Sequence, residues 1–82
     1  MRIINVIVVE NNDVKDMESF PVIDEQFSNE VVEQAETYFK LKMKEYGADY
    51  LDEESIESYV EDGSYTGEDF NIQLIWTFVE NV

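Results

Sequence analysis

The chain has 82 residues, of which 44% are apolar, and it carries 20 acidic residues against 5 basic ones, so its formal net charge is −15. A chain this short has room for one core, and its aromatic share of 13% exceeds that of a disordered acidic tail, so residues 1–82 are predicted to fold as one domain. The absence of cysteine and histidine excludes disulfides, thiolate chemistry, Ser-His-Asp catalysis and most zinc sites.

The N-terminal quarter of the chain predicts a β-hairpin. Ile and Val dominate Arg2–Glu10, which is typical of a buried strand because their branched side chains suit a pleated surface. Turn-tolerant residues follow at 10–13, and a second strand is predicted over Val14–Val22. Its alternation places Val14 on the same face as Phe20. Pro21 lacks an N–H group, so we expect it at the end or edge of this strand.

An amphipathic helix is predicted from Ser28 to Tyr46, because apolar residues recur there at steps of three and four. The residues with this spacing are Val32, Ala35, Phe39, Met43 and Tyr46. Either Ser28 or Asp24 is expected to cap its first turn, and Gly47 to end it.

A second, shorter helix is predicted to begin after Asp52, which acts as its N-cap, and to end at Gly63. Ile56, Tyr59 and Val60 form its narrow buried face. On the same reasoning Tyr46 and Tyr59 belong to the core, whereas Tyr50 and Tyr65 are expected at the surface.

The last part of the chain predicts a polar loop at Ser64–Asp69 and a clear strand at Phe70–Val79, where apolar and polar residues alternate. We expect this strand to pair antiparallel with the first. The predicted fold is therefore α+β, a three-stranded antiparallel sheet of order 2-1-3 with two helices between strands 2 and 3 (ββααβ) on one face.

The first strand is apolar on both faces, since Ile4, Val6 and Val8 alternate with Ile3 and other apolar residues. If the helices cover one face only, the other is an apolar surface of the kind that marks self-association or a partner. The alternative is a small core shared unevenly by the two faces.

The negative charge is concentrated towards the C-terminus. Acidic and basic residues number 4 and 2 in residues 1–23, 6 and 3 in residues 24–47, and 10 and 0 in residues 48–82. Glu53, Glu57 and Glu61 follow one another at helical spacing, about 6 Å apart, which resembles the charge spacing along one nucleic-acid strand. The alternative is a solvated helix face that serves solubility alone.

This cluster predicts a non-enzymatic interaction module that binds a basic surface of a partner protein, with a nucleic-acid mimic as its sharpest form. A nucleic-acid-binding protein is one such partner, whereas direct binding of nucleic acid is opposed by charge repulsion. The predicted partner-binding residues are Asp49, Tyr50, Glu53, Glu57, Glu61, Asp62, Tyr65, Glu68 and Asp69. In size and charge alone, the chain resembles the small acidic proteins of phages and mobile elements, some of which imitate DNA.

Two other functions stay open at this point. The protein could be a small structural homodimer that associates through the apolar sheet face, with acids for solubility only, or it could bind calcium or magnesium through the same carboxylates. Neither Asp49–Glu54 nor Asp62–Asp69 matches a calcium-loop pattern. No catalytic residue, metal or cofactor is predicted, because the carboxylates lie in polar stretches and nucleotide-binding motifs are absent. The apolar run Ile3–Val9 is too short for a signal peptide or membrane span, so a cytoplasmic protein is expected.

Overall fold

The computed structural model of the protein describes residues 1–79, which contain four strands and two α-helices. Strand β1 spans Arg2–Glu10, β2 Asp13–Val22, helix α1 Ser28–Glu45, helix α2 Glu53–Asp62, β3 Ser64–Thr66 and β4 Phe70–Phe78. A one-turn 3₁₀ helix precedes each α-helix, at Glu25–Phe27 and at Ala48–Tyr50.

The strands form one antiparallel sheet of order β2-β1-β4-β3. The α+β class, the two helices and the antiparallel pairing of the last long strand with the first are confirmed. The predicted number of strands is wrong, because Ser64–Thr66 is not a loop but a fourth strand that pairs with Asn71–Gln73. The ββααβ description is therefore incomplete, and the observed order is ββααββ.

The β1–β2 hairpin turns through Asn11 and Asn12, whose φ angles are 53° and 67°. Asparagine tolerates this left-handed region, which two-residue hairpin turns require. A bulge follows in β2, since Val8 pairs with Asp16 whereas Val9 pairs with Val14. Lys15 is the extra residue, so Val14 lies on the opposite face from Phe20, contrary to the predicted alternation.

The helices begin and end at the capping residues predicted from the sequence, except at the start of α1. The Asp52 carboxylate accepts a hydrogen bond from the Ser55 N–H at 2.8 Å, and Gly63 ends α2 with a φ of 72°, as predicted. The expected side-chain cap of α1 is absent, because the Asp24 carboxylate accepts instead from the Gln26 N–H of the preceding 3₁₀ helix. Ser28 is already helical.

Both helices pack on one face of the sheet and form the core with it. This face presents the even-numbered residues of β1 and β4, and antiparallel pairing puts Phe20 and Val22 beside them. The core residues with no measurable exposure are Ile4, Val6, Val8, Ala35, Phe39, Met43, Ala48 and Ile72.

The opposite side of the sheet, here called the open face, is covered by no element of residues 1–79. It presents the odd-numbered residues of β1 and β4, residues 17, 19 and 21 of β2, and Val14 and Lys15 at the bulge. Its apolar members are Ile3, Ile7, Val9, Val14, Met17, Pro21 and Ile75. A polar belt crosses it, because Ser19 donates to the Asn5 side chain at 2.7 Å and Asn5 donates to Thr77 at 2.9 Å.

Candidate functional site

The predicted partner-binding residues occupy the second 3₁₀ helix, α2 and the β3–β4 connection. All of their carboxylates belong to exposed residues, and Tyr50 is 76% exposed. Tyr65 differs, since it is only 6% exposed. Its predicted position at the surface is therefore wrong.

Tyr65 lies at the centre of an aromatic cluster. Its ring meets that of Tyr59 edge-on at 4.8 Å and that of Phe70 at 5.4 Å, and its hydroxyl lies 3.4 Å from the Tyr50 hydroxyl. The contact with Tyr50 and, after it, burial raise the pKa of Tyr65 to about 12. Because Tyr65 pairs with buried Ile72 across β3 and β4, it faces the core.

The row Glu53, Glu57 and Glu61 is not free of basic partners. Lys40 of α1 forms an ion pair with Glu57, and this contact raises the pKa of Lys40, with Glu53 adding to the effect. Lys44 lines the same groove beside Glu53 and Glu57. The middle carboxylate of the row is therefore compensated by a lysine of α1, although residues 48–82 contain no basic residue.

The C-terminal end of α2 keeps its negative charge. Glu61 and Asp62 line a depression together with Glu36 of α1, Gly63 and Trp76, and its lining contains no basic residue. Glu54, which precedes them on α2, is also exposed. We call Glu54, Glu61 and Asp62 the helix acids.

A second acidic group lies at the β3–β4 connection. Glu68 and Asp69, here called the loop acids, line a depression of about 250 Å³ with Tyr50, Tyr46 and Phe70. Asp49 directly precedes Tyr50 in the chain. The predicted surface thus separates into two places, one along α2 and one around Tyr50.

A charged network between α1 and β2 was not anticipated from the sequence. The Lys42 side chain is 12% exposed and its Nζ lies 2.8 Å from Glu45 and 3.5 Å from Asp16. The Tyr46 hydroxyl donates to Asp16 at 2.6 Å. This bond, more than any other contact, raises the pKa of Tyr46 to about 12 and lowers the pKa of Asp16.

Most of the basic residues therefore form ion pairs with acidic residues of the same chain. Arg2 pairs with Glu25, Lys40 with Glu57, and Lys42 with Asp16 and Glu45. These are three of the five basic residues of the chain. The exposed charge of the C-terminal half is correspondingly acidic.

The bond between Tyr46 and Asp16 predicts a change in stability at high pH. A tyrosine whose pKa is raised on folding contributes stability that is complete below its ordinary pKa of 10 and is lost as the pH rises through about 12. We expect Tyr46→Phe to lose less stability than the wild type between pH 9 and about pH 12, as measured by urea unfolding at each pH. Equal losses in the two proteins would contradict this assignment.

Within residues 1–79, no three carboxylates converge in a way that could hold a metal ion. No helix in that range has the length and apolar character needed to cross a bilayer. No protein-family model, curated protein or solved structure matches the chain.

Proposed function

We propose that this protein is a non-enzymatic interaction module that binds a basic surface of a partner protein through the acids of its C-terminal half. One observation carries the proposal. From residue 48 onwards the chain contains no basic residue, and its helix acids and loop acids are exposed and have no ion-pair partner within residues 1–79.

Such a surface would act mainly on the rate and selectivity of association. An unopposed field attracts an oppositely charged partner over a Debye length and repels acidic competitors. Tyr50 supports contact as well as attraction, because it is 76% exposed and lies beside the loop acids. An exposed tyrosine offers rigid apolar area with a polar tip, a common feature of interfaces.

The observed pairs favour a basic protein groove in general over strict imitation of a nucleic-acid strand. A mimic of evenly spaced phosphates needs the whole row from Glu53 to Glu61 free, and Lys40 occupies Glu57. The loop acids are more accessible to a basic partner than Glu57 is, because no basic residue lines their depression. Solubility alone does not require this arrangement, because a surface on which acids and bases are interspersed also keeps a small domain soluble.

The proposal is tested by capture from an extract of the source cells, with the immobilised protein at about 50 mM and about 500 mM salt. We compare the wild type with Glu68→Lys/Asp69→Lys and with the matched control Glu30→Lys/Glu33→Lys. Both doubles change the net charge equally, and all four residues are exposed.

Wild type and control should capture a basic protein at low salt and release it at high salt, because exposed ion pairs are screened. The loop-acid variant should bind it about 10-fold more weakly, which corresponds to a loss of about 1.4 kcal/mol for the reversal of two charges. Salt-independent capture, or equal weakening by the control, would contradict the proposed site.

A further inference from the structure

We infer that the open face of the sheet binds the open face of a second copy of this chain, forming a two-fold dimer with the helices on the outside. The inference goes beyond the proposed function, because it concerns a different surface. It starts from the apolar side chains there, among which Val14, Met17 and Ile75 are 63%, 59% and 41% exposed.

The open face presents no acidic side chain, although the formal net charge of the protein is −15. Between Ile3 and Val9 on β1, and between Asn71 and Thr77 on β4, its side chains include no Asp, Glu, Lys or Arg. On β2 the residues that face the same way are Val14, Met17, Ser19 and Pro21, together with the bulge residue Lys15, whereas Asp16 and Glu18 point to the helix side. The acids are thus segregated from the interior of this face, and Glu68 and Asp69 border it at one end, beside Val9 and Asn71.

This segregation indicates a second copy as the occupant. Any two copies repel each other through their acidic surfaces, and the open faces are the surfaces on which this repulsion is smallest. Sheets stacked face to face lie about 10 Å apart, and a helix of about 10 Å diameter lies outside each. The helix axes of the two copies would then be about 30 Å apart, nearly four Debye lengths at physiological salt, where one Debye length is about 8 Å.

The polar belt is compatible with such burial. The side chains of Ser19, Asn5 and Thr77 bond to one another across three strands, so they do not depend on water or on a partner for their main contacts. The belt would also favour one register of the two sheets over others. Burying its polar groups costs less free energy when they face the belt of the other copy than when they face Ile7 or Ile75.

The size of the face predicts the strength of the dimer. Strands β1, β2 and β4 have nine or ten residues and measure about 30 Å, and three neighbouring strands cover about 15 Å, so each copy contributes about 450 Å² before side-chain relief is counted. The two copies together contribute about 900 Å² before that relief, which is below the usual range of stable specific interfaces, about 1,200–2,000 Å², and within that of weak ones. A dissociation constant in the micromolar range is therefore expected.

The test is the molar mass of the full chain by sedimentation equilibrium from about 1 μM to about 500 μM. The mass should rise from 9.6 kDa towards twice that value. Met17→Glu and Ile75→Glu each place a carboxylate in the face, and each should weaken the dimer at least 10-fold. Leu41→Glu is the matched control, because Leu41 is 51% exposed on α1, and it should leave the dimer unchanged.

Salt separates this inference from the proposed function. The dimer should persist or tighten at about 500 mM salt, since screening removes the remaining repulsion between copies, whereas capture of a basic partner should be lost. A wild type that stays at 9.6 kDa throughout would overturn the inference. So would a dimer weakened as much by Leu41→Glu as by the open-face variants, provided that circular dichroism shows all three to be folded.

Discussion

Phe39→Ala should lower the free energy of unfolding by about 3–5 kcal/mol, as measured by urea denaturation. Phe39 is at the centre of α1, has no exposed surface and is the largest of the fully buried side chains. Its removal leaves a cavity between α1 and the sheet that rigid neighbours cannot fill. Domains of this size have total stabilities near the lower end of about 5–15 kcal/mol, so most of the stability would be lost.

The neighbouring residue Leu41 supplies the control, because it lies on the same helix and is 51% exposed. Leu41→Ala should cost less than about 1 kcal/mol. If Phe39→Ala leaves too little folded protein to measure, Phe39→Leu keeps the comparison and should still cost more than Leu41→Ala. Equal effects at the two positions would contradict the packing of this helix face against the sheet.

Tyr65→Ala should lower the free energy of unfolding by about 3 kcal/mol or more, because the ring is buried between those of Tyr59 and Phe70. Tyr65→Phe keeps the ring and should cost less than about 1.5 kcal/mol, since the hydroxyl contact with Tyr50 is long at 3.4 Å.

Tyr50→Ala distinguishes a structural tyrosine from a surface one. Tyr50 is 76% exposed, so its loss should change stability by less than about 1 kcal/mol while weakening partner capture under the proposed function. A stability loss at Tyr65 no larger than that at Tyr50 would show that Tyr65 is not part of the core.

The long elements were predictable because each repeats a hydrophobic period several times. Strand β1, the helix from Ser28 and strand β4 from Phe70 all lie where the pattern placed them. Strand β3 contains three residues and one apolar side chain, Tyr65, so no period exists to detect. Its strand conformation depends on pairing with β4, which is a tertiary interaction.

Sequence predicted the acidic composition of the candidate site but not its internal contacts. Lys40 and Glu57 lie 17 positions apart, and only the return of α2 alongside α1 brings them together. Lys15 illustrates a similar limit, because a bulge at one residue moves Val14 to the other face. Local patterns specify elements, whereas partners and register depend on the assembled sheet.

The two proposals rest on one property of the molecule, which is that its surfaces differ in charge. The C-terminal acids surround α2 and the β3–β4 connection, and the open face has none. The two surfaces adjoin at one end of the sheet, where Glu68 and Asp69 line a depression with Val9 and Asn71. Salt should weaken the binding of a basic partner and leave the dimer intact.

The most direct test of this charge separation is the proton relaxation caused by cationic and by anionic paramagnetic cosolutes, recorded by NMR on dilute, monomeric protein. The ratio of the two relaxation rates at a proton reports the local electrostatic potential, because the accessibility of that proton affects both rates equally. We predict a ratio several-fold higher at the amides of Glu61, Asp62, Glu68 and Asp69 than at the methyl groups of Ile7 and Ile75. A ratio that is the same at both sets of protons would contradict the account.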